Sequence, residues 1–405
     1  MSEILFLAHR VPFPPDRGDK IRSHHVLKRL AELAPVHVGT FGDTDDDMTR
    51  EGALAEVAAS QCLVRREKPL WRAGLEALGK GQPVSVSAFR DRRLAHWVRE
   101  ILESRPISSI YVFSGQMGQY VPADFKGGMV LDLVDVDSAK FEAYARQKGW
   151  PMSTVHAREA RLLAREEASL AGRADHTLLV SEEEAALFRS RCPGAPNVCA
   201  MTNGIDAAFF DPAMVRPHSE LASGGPHFVF TGQMDYPPNI AAATRAIERI
   251  FPAIREIYPQ AQLHIVGRAP TAALTKFDGT DGVRVWGAVP DVRPFLAAAT
   301  VVLVPLEIAR GVQNKVLEAM AMARPVLATS GAATGTGAEA GRHLLVADGD
   351  RGLIAEALKL LAAPERGQVL GRAARDFVLQ HRSWAAALFE LPRYIGFDRS
   401  LRDAA

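Results

Sequence analysis

The chain has 405 residues, of which 47% are hydrophobic and 23% charged, and a formal net charge of +1. That length exceeds what one compact core normally spans, so two domains are expected, and the near-zero charge excludes a global field that would draw in nucleic acid. Three scattered cysteines, Cys62, Cys192 and Cys199, exclude a disulfide framework and suit a reducing cytosol, and no CxxC or HExxH spacing suggests a metal site.

The N-terminal MSEILFLAHR has an apolar run with no basic segment before it, which reads as a first strand, Ile4–Ala8, rather than a secretion signal. No apolar run approaches the roughly 18 residues of a membrane span, so a cytoplasmic protein is expected. Gly18 opens a helix predicted over Asp19–Leu33, with Lys20 and Arg22 in its first turn. Further strands are predicted at Val36–Phe41, Ile110–Phe113, Val130–Leu133 and Thr177–Val180. After a Pro-, Gly- and Ser-rich stretch around 211–226 the rhythm resumes with Phe228–Phe230, Leu263–Val266, Val283–Trp286, Val301–Val304, Val326–Ala328 and Leu344–Val346. Apolar strands alternating with helical stretches predict parallel sheets covered on both faces, and two such series predict two doubly wound α/β domains. From Pro364 the pattern is helical to the end.

Ligand sites in such sheets lie beyond the carboxyl ends of the strands. VVLVPLEIARGVQNKVLEAMA fits that plan: a strand ends at Pro305, a loop carries Glu307 and Arg310, and a helix is predicted from about Val312. Gly311 permits close backbone approach, and the amides of Val312, Gln313 and Asn314 would point at an anion. Lys315 opposes the positive end of the helix dipole, which a bound phosphate would repay. Glu318, one turn on, would accept from sugar hydroxyls. A solvated Lys–Glu pair is the alternative.

In the first half, LVDVDS sets Asp135 and Asp137 on one face at a strand end, suited to orienting a hydroxyl or taking its proton; for Asp137 an N-cap role before a helix from Ser138 is the alternative. His9, after the first strand, is placed to line a cleft, whereas His156 falls mid-helix in a charged, surface stretch. TSGAATGTGAEAG only superficially matches GxGxxG, since it follows no first strand and has no acidic partner about 20 residues on, so dinucleotide chemistry is rejected. LVRREKPLWRAGLEALGK and FRDRRLAHWVREIL interleave cations with Trp71, Phe89 and Trp97, which suits either an anionic lipid surface or solvated helices with core tryptophans.

From Phe228 to Val346 the segments FTGQMDYPPNIAA, LHIVGRAP, VRVWGAVPDVRPFLAAATVVLVPL, GVQNKVLEAMAMARPVLAT and GRHLLVADGD resemble, in order, the C-terminal domain of glycosyltransferase family 4, retaining enzymes of the GT-B fold. TNGIDAAFFDP resembles that family's hinge, and RVPFPPDRGDKIRSHHVLKRL with LDLVDVDSAKFEAYA resembles its PEP-CTERM/exosortase-associated exopolysaccharide subgroup. The resemblance implies two Rossmann-like domains facing each other across a cleft. The acceptor-side domain would be 1–210 plus a crossover helix at 383–405, and the nucleotide-sugar domain 211–382. It implies retaining, metal-independent transfer from a UDP- or GDP-linked sugar to a glycan or lipid-linked acceptor. The enzyme would need no cofactor or nucleic acid, and would be cytoplasmic or peripheral on the inner membrane face. Glu318 matches the second glutamate of the family's E-x7-E motif. The first falls on Arg310, and Glu307 is one loop-turn earlier. The family's diphosphate-gripping Arg and Lys fall on Gln233 and the Pro237–Pro238–Asn239 run, so Arg310 and Lys315 are expected to supply that charge, with Arg268 and Asn239 beside them. Gly18, Lys20 and Arg22 occupy the place of the family's glycine-rich loop, the alternative being surface pairs of Asp16 and Asp19 with Arg17 and Lys20. A GT-B nucleotide-sugar epimerase or hydrolase, or a non-catalytic scaffold, are the alternative readings.

Overall fold

Unbroken runs of Val, Ile, Leu and Phe form strands only where both faces are covered, and all eleven expected strands are present in the computed structural model, which describes residues 2–222, 224–307 and 312–397. The chain forms two compact units. One runs to Asn203 and regains the chain from Ala387, and the other comprises Gly204–Ala386.

The first unit holds a seven-stranded sheet of β1 (Glu3–Ala8), β2 (Val36–Gly42), β3 (Ser60–Arg65), β4 (Ile107–Phe113), β5 (Gly128–Val134), β6 (His176–Leu179) and β7 (Val198–Ala200), in the order β3-β2-β1-β4-β5-β6-β7. The second holds six strands, β8 (His227–Thr231), β9 (Gln262–Val266), β10 (Val283–Gly287), β11 (Val301–Val304), β12 (Val326–Ala328) and β13 (Leu345–Val346), in the order β10-β9-β8-β11-β12-β13. Every pairing is parallel. In each sheet the strand order reverses once, between β1 and β4 and between β8 and β11. Such reversals open a crevice at the strand ends.

β3 and β7 were not among the expected strands. Both are edge strands, and SQCLVR is mostly half-buried while β7 has three residues, so neither carries a long apolar run. The helix over Gly18–Ala31 and the one over Asn314–Ala321 start within two residues of expectation. The tail departs more. A helix over Pro364–His381 ends, and the return stretch carries two short helices, Trp384–Ala387 and Leu391–Tyr394, in place of one long crossover helix. In the first unit Ile395 accepts a 2.8 Å hydrogen bond from the Ser109 hydroxyl, and Tyr394 packs on His176. The hinge glycine of TNGID has a steric cause. A Cβ on Gly204 would lie 2.5 Å from the backbone nitrogen of Trp384, because Ile205 and Ser383 pair where the chain enters and leaves the second unit.

Arg22 is fully enclosed, with 0% exposure. Its guanidinium grips Asp132 with two bonds of 2.9 and 3.1 Å and donates to Met201 O and Asn203 Oδ1; Asp132 also accepts from the Tyr111 hydroxyl at 2.7 Å. Lys20 is buried against Asp47 at 2.6 Å. The expectation that these two cations meet a nucleotide is therefore corrected: both turn inward to carboxylates of their own unit.

Breaking a buried ion pair leaves a bare charge and costs about 3–5 kcal/mol, whereas replacing both partners by apolar residues removes that penalty. Asp132→Leu should lower the stability of the full chain by that amount, and Arg22→Met with Asp132→Leu should melt closer to wild type than Asp132→Leu alone. A wild-type melting temperature for Asp132→Leu would remove Arg22–Asp132 as the organising pair.

Candidate functional site

At the reversal between β8 and β11 lies a cavity of about 740 Å³. The ends of β8 and β9 form its floor by an unusually close approach. A Cβ on Gly267 would sit 1.6 Å from the carbonyl oxygen of Gly232, so position 267 admits only glycine. Gly232 N–H donates to Val266 O at 3.1 Å and Met234 N–H to Arg268 O at 2.9 Å, tying the two loops together.

The helix Asn314–Ala321 starts at this cavity with Gln313 as N-cap residue, and its side chain makes no capping hydrogen bond. Lys315, in the first turn, is partly removed from water. Its ammonium lies 4.9 Å from the Phe230 ring centroid and donates to Asn239 Oδ1 at 2.5 Å; Asn239 is held in turn by a 2.9 Å bond from its amide to Gln233 O. Among the described residues no carboxylate lies within ion-pair distance of Lys315. Burial pulls its pKa down to about 8, against an opposing pull from Glu318. Glu318 is the acidic residue of the lining, and burial raises its carboxyl to about 7, against the pull of Lys315. Val312, Gln313 and Asn314 complete this wall. Arg268 lines the cavity opposite them, donating to Gln233 Oε1 at 3.2 Å. Lys315, Glu318, Asn239, Arg268, Val312, Gln313 and Asn314 are thus brought together. Arg310 and Gly311 lie outside the described residues. Glu307 is turned away, toward Arg249 at 3.5 Å and Arg245 at 3.7 Å.

Two groups escaped the sequence reading. Phe230, at the end of β8, offers its ring to Lys315; the apolar strand run hides that second role. Arg245 is buried, pairs with Asp350 at 2.6 Å and donates to Pro305 O at 3.0 Å, while the Thr329 hydroxyl donates to Leu306 O at 2.6 Å. Together they fix the end of β11. Nothing local in the sequence links Arg245 to a carboxylate 105 positions on.

The crevice of the first unit differs in charge. Arg10 bridges Asp19 at 2.6 Å and Asp43 at 2.8 Å, and Arg66 pairs with Asp43 at 2.6 Å. His9 stacks on Phe113, with Nε2 3.5 Å from Asp19. Gly18 is an exposed helix start that a side chain would not crowd. Val134, a β-branched residue, takes φ +69°, a strained left-handed conformation that turns the chain at the end of β5. Asp135 and Asp137 follow and clasp Lys140 at 2.7 and 3.2 Å. The next helix begins at Asp137 itself with Val136 as N-cap, so Asp137 is not the cap. Glu184 and Glu167 accept from the amides of Val136 and Ser138 instead. His156 is half-buried against Phe141 and Tyr144.

Residues 225–363 match the family model described as "Glycosyl transferases group 1". No curated protein matches the chain. Among solved structures, it is similar to Anabaena HepE in complex with UDP and glucose (15% identity over 98% of this chain and 100% of that one, TM-score 0.62). It is also similar to sucrose-phosphate synthase from Thermosynechococcus elongatus (17%, 100% of each chain, TM-score 0.60). A third likeness is to WaaG, a glycosyltransferase involved in lipopolysaccharide biosynthesis (17%, 97% and 100%, TM-score 0.59). The fold is GT-B.

If Lys315 meets a diphosphate, it does so only while its side chain holds its proton, so affinity should fall as pH rises through about 8. A carboxylate accepts hydroxyls better than its acid, so affinity should also fall as pH drops through about 7. The two groups are neighbours and titrate as a pair. Calorimetric titration with UDP should therefore show a maximum between those values. Lys315→Arg should flatten the alkaline limb and Glu318→Gln the acid limb; limbs that persist in both variants would exclude this pair as their source.

Proposed function

We propose that the chain is a GT-B glycosyltransferase that moves a hexosyl group from a nucleoside-diphosphate sugar to a glycan or lipid-linked acceptor, with retention of configuration and without a metal. The observation that carries this reading is Lys315, a partly buried cation at a helix N-terminus without a side-chain capping bond, with no carboxylate in ion-pair reach among the described residues. A desolvated charge without a partner is costly, and a diphosphate supplies the partner. The UDP recorded with HepE supports the same ligand class here.

As the bond from the sugar's anomeric carbon to the phosphate oxygen breaks, negative charge grows on the departing diphosphate. Lys315 and the amides of the helix start face that charge and stabilise it more as it grows. Phe230 and Asn239 keep the ammonium in place without neutralising it. Glu318 holds the ribose hydroxyls. Arg310 is assigned to the phosphates from its place in the sequence. The crevice of the first unit suits the other substrate. Its cations are matched by Asp19, Asp43, Asp47 and Asp132, so it fits an uncharged polyhydroxyl acceptor, with His9, Asp135 and Asp137 as the polar groups at its strand ends. The resemblance of its motifs to the exopolysaccharide subgroup supports a role in cytoplasmic assembly of such a polymer, at or near the inner membrane face.

Lys315→Gln should slow single-turnover transfer roughly 10²-fold, by analogy with removal of one oxyanion donor. Glu318→Ala should weaken UDP binding by about 1.5–3 kcal/mol. Unchanged values for both variants would sink the site assignment. Donor binding without transfer to any acceptor would favour a scaffold, and release of free sugar a hydrolase.

Metal independence has its own test. Because Lys315 and the helix start supply the positive charge, EDTA should leave the rate intact. A rate abolished by EDTA and restored by Mg²⁺ or Mn²⁺ would overturn it.

A further inference from the structure

We propose that one face of the first unit, formed by the helix Leu70–Lys80 and the tip of the helical hairpin Asp137–Gln147/Met152–Ala171, docks on an anionic lipid bilayer. This extends the membrane part of the reading above.

The helix Leu70–Lys80 is built inside out. It buries Ala73 and Ala77 and leaves Leu70 68%, Trp71 65%, Leu75 63% and Leu78 63% exposed. At 3.6 residues per turn these four, with Gly74, fall within an arc of about 140°. Single exposed apolar residues are ordinary, but four large ones on one arc of an eleven-residue helix are not. The hairpin tip adds Trp150, 86% exposed, with Tyr144, Met152 and Val155. Arg158, three residues beyond Val155, donates to Ala77 O at 3.1 Å, so the hairpin abuts the C-terminal end of the first helix.

Charge decides the occupant. Between the hairpin helices runs a groove of about 490 Å³ lined by Arg146, Arg161 and Arg165 over a floor of alanines. These three, with Arg72 and Lys148, are exposed and have no carboxylate within ion-pair distance among the described residues. Glu67 also lies on this face, beside Trp71, Arg72 and Leu75, but three other nearby carboxylates are already held. Glu76 takes Lys68, Lys80 and Arg90, Glu142 takes Arg191, and Glu159 accepts from the amides of Val84 and Ser85. Tryptophans and leucines rimmed by unpaired Arg and Lys match the acyl boundary and phosphate layer of an anionic membrane. A protein partner or a second copy would have to present an apolar surface ringed by acids, and this chain's own face carries the opposite charge.

The test is co-sedimentation of the full chain with phosphatidylcholine vesicles, with and without phosphatidylglycerol, in the absence of donor. Binding is expected to the anionic vesicles, weakening with salt and accompanied by a blue shift of tryptophan emission. Leu75→Ser with Leu78→Ser should lose roughly tenfold or more in partitioning. Arg146→Gln, Arg161→Gln and Arg165→Gln together should lose about fivefold per cation removed, about a hundredfold in all, with a shallower salt dependence. Unchanged UDP binding and melting in these variants establish that they fold, and they keep failure of docking separate from failure of the donor site. No partitioning, equal binding to neutral vesicles, or binding that both variants retain would overturn the proposal. So would a dimer in sedimentation equilibrium that Leu75→Ser with Leu78→Ser dissolves, which would make the face a homotypic interface.

Discussion

A cation taken out of water must be met by negative charge, and the whole reading of this molecule rests on where that rule is satisfied. Arg22 is met by Asp132, Lys20 by Asp47 and Arg245 by Asp350. Each of these pairs joins elements distant in sequence, and each closes a gap in the charge balance with residues of the protein. Lys315 is only partly buried, and it is met by an amide oxygen and an aromatic face. Amides and rings orient an ammonium but do not neutralise it. Under the proposed function a ligand supplies the missing charge.

The fold puts that demand in a prepared place. Parallel strands all end on one side of the sheet, and the reversal between β8 and β11 leaves room there for a ligand. The glycines at 232 and 267 let two loops touch backbone to backbone, which a side chain at 267 would prevent. Arg245 and Thr329 tie down the carbonyls of Pro305 and Leu306, so the end of β11 is fixed before the segment leading to Lys315 begins. Donor groups held this way need little reorganisation when charge develops, which is where electrostatic catalysis gains most.

The strands were legible in the sequence because a doubly covered sheet writes itself as unbroken apolar runs. β3 and β7 were not, because β3 is half-buried along most of its length and β7 has only three residues, so neither carries a long apolar run. The site was half legible. A lysine in the first helical turn after a strand and loop marked Lys315, yet the same mark at Lys20 and Arg22 led inward. What separates them is the long-range partner. Asp132 is 110 positions from Arg22, and no spacing rule reaches that far. Distinguishing a structural cation from a ligand-facing one requires knowing which carboxylates the fold delivers, and that is tertiary information.

The identity of the two basic residues then follows from their circumstances. Arginine stays charged in any protein environment, so a buried arginine must have a permanent counter-ion, and position 22 has one. Lysine gives up its proton when desolvated, so a site that is sometimes empty can tolerate it there. Burial moves Lys315 down to about 8 and Glu318 up to about 7, so each holds its charge less firmly than it would in water. Under the proposed function an arriving diphosphate would raise the proton affinity of the lysine, adding to the pull that Glu318 already exerts. An arginine at 315 would keep its full charge in every empty molecule, whereas the lysine can give up its proton there.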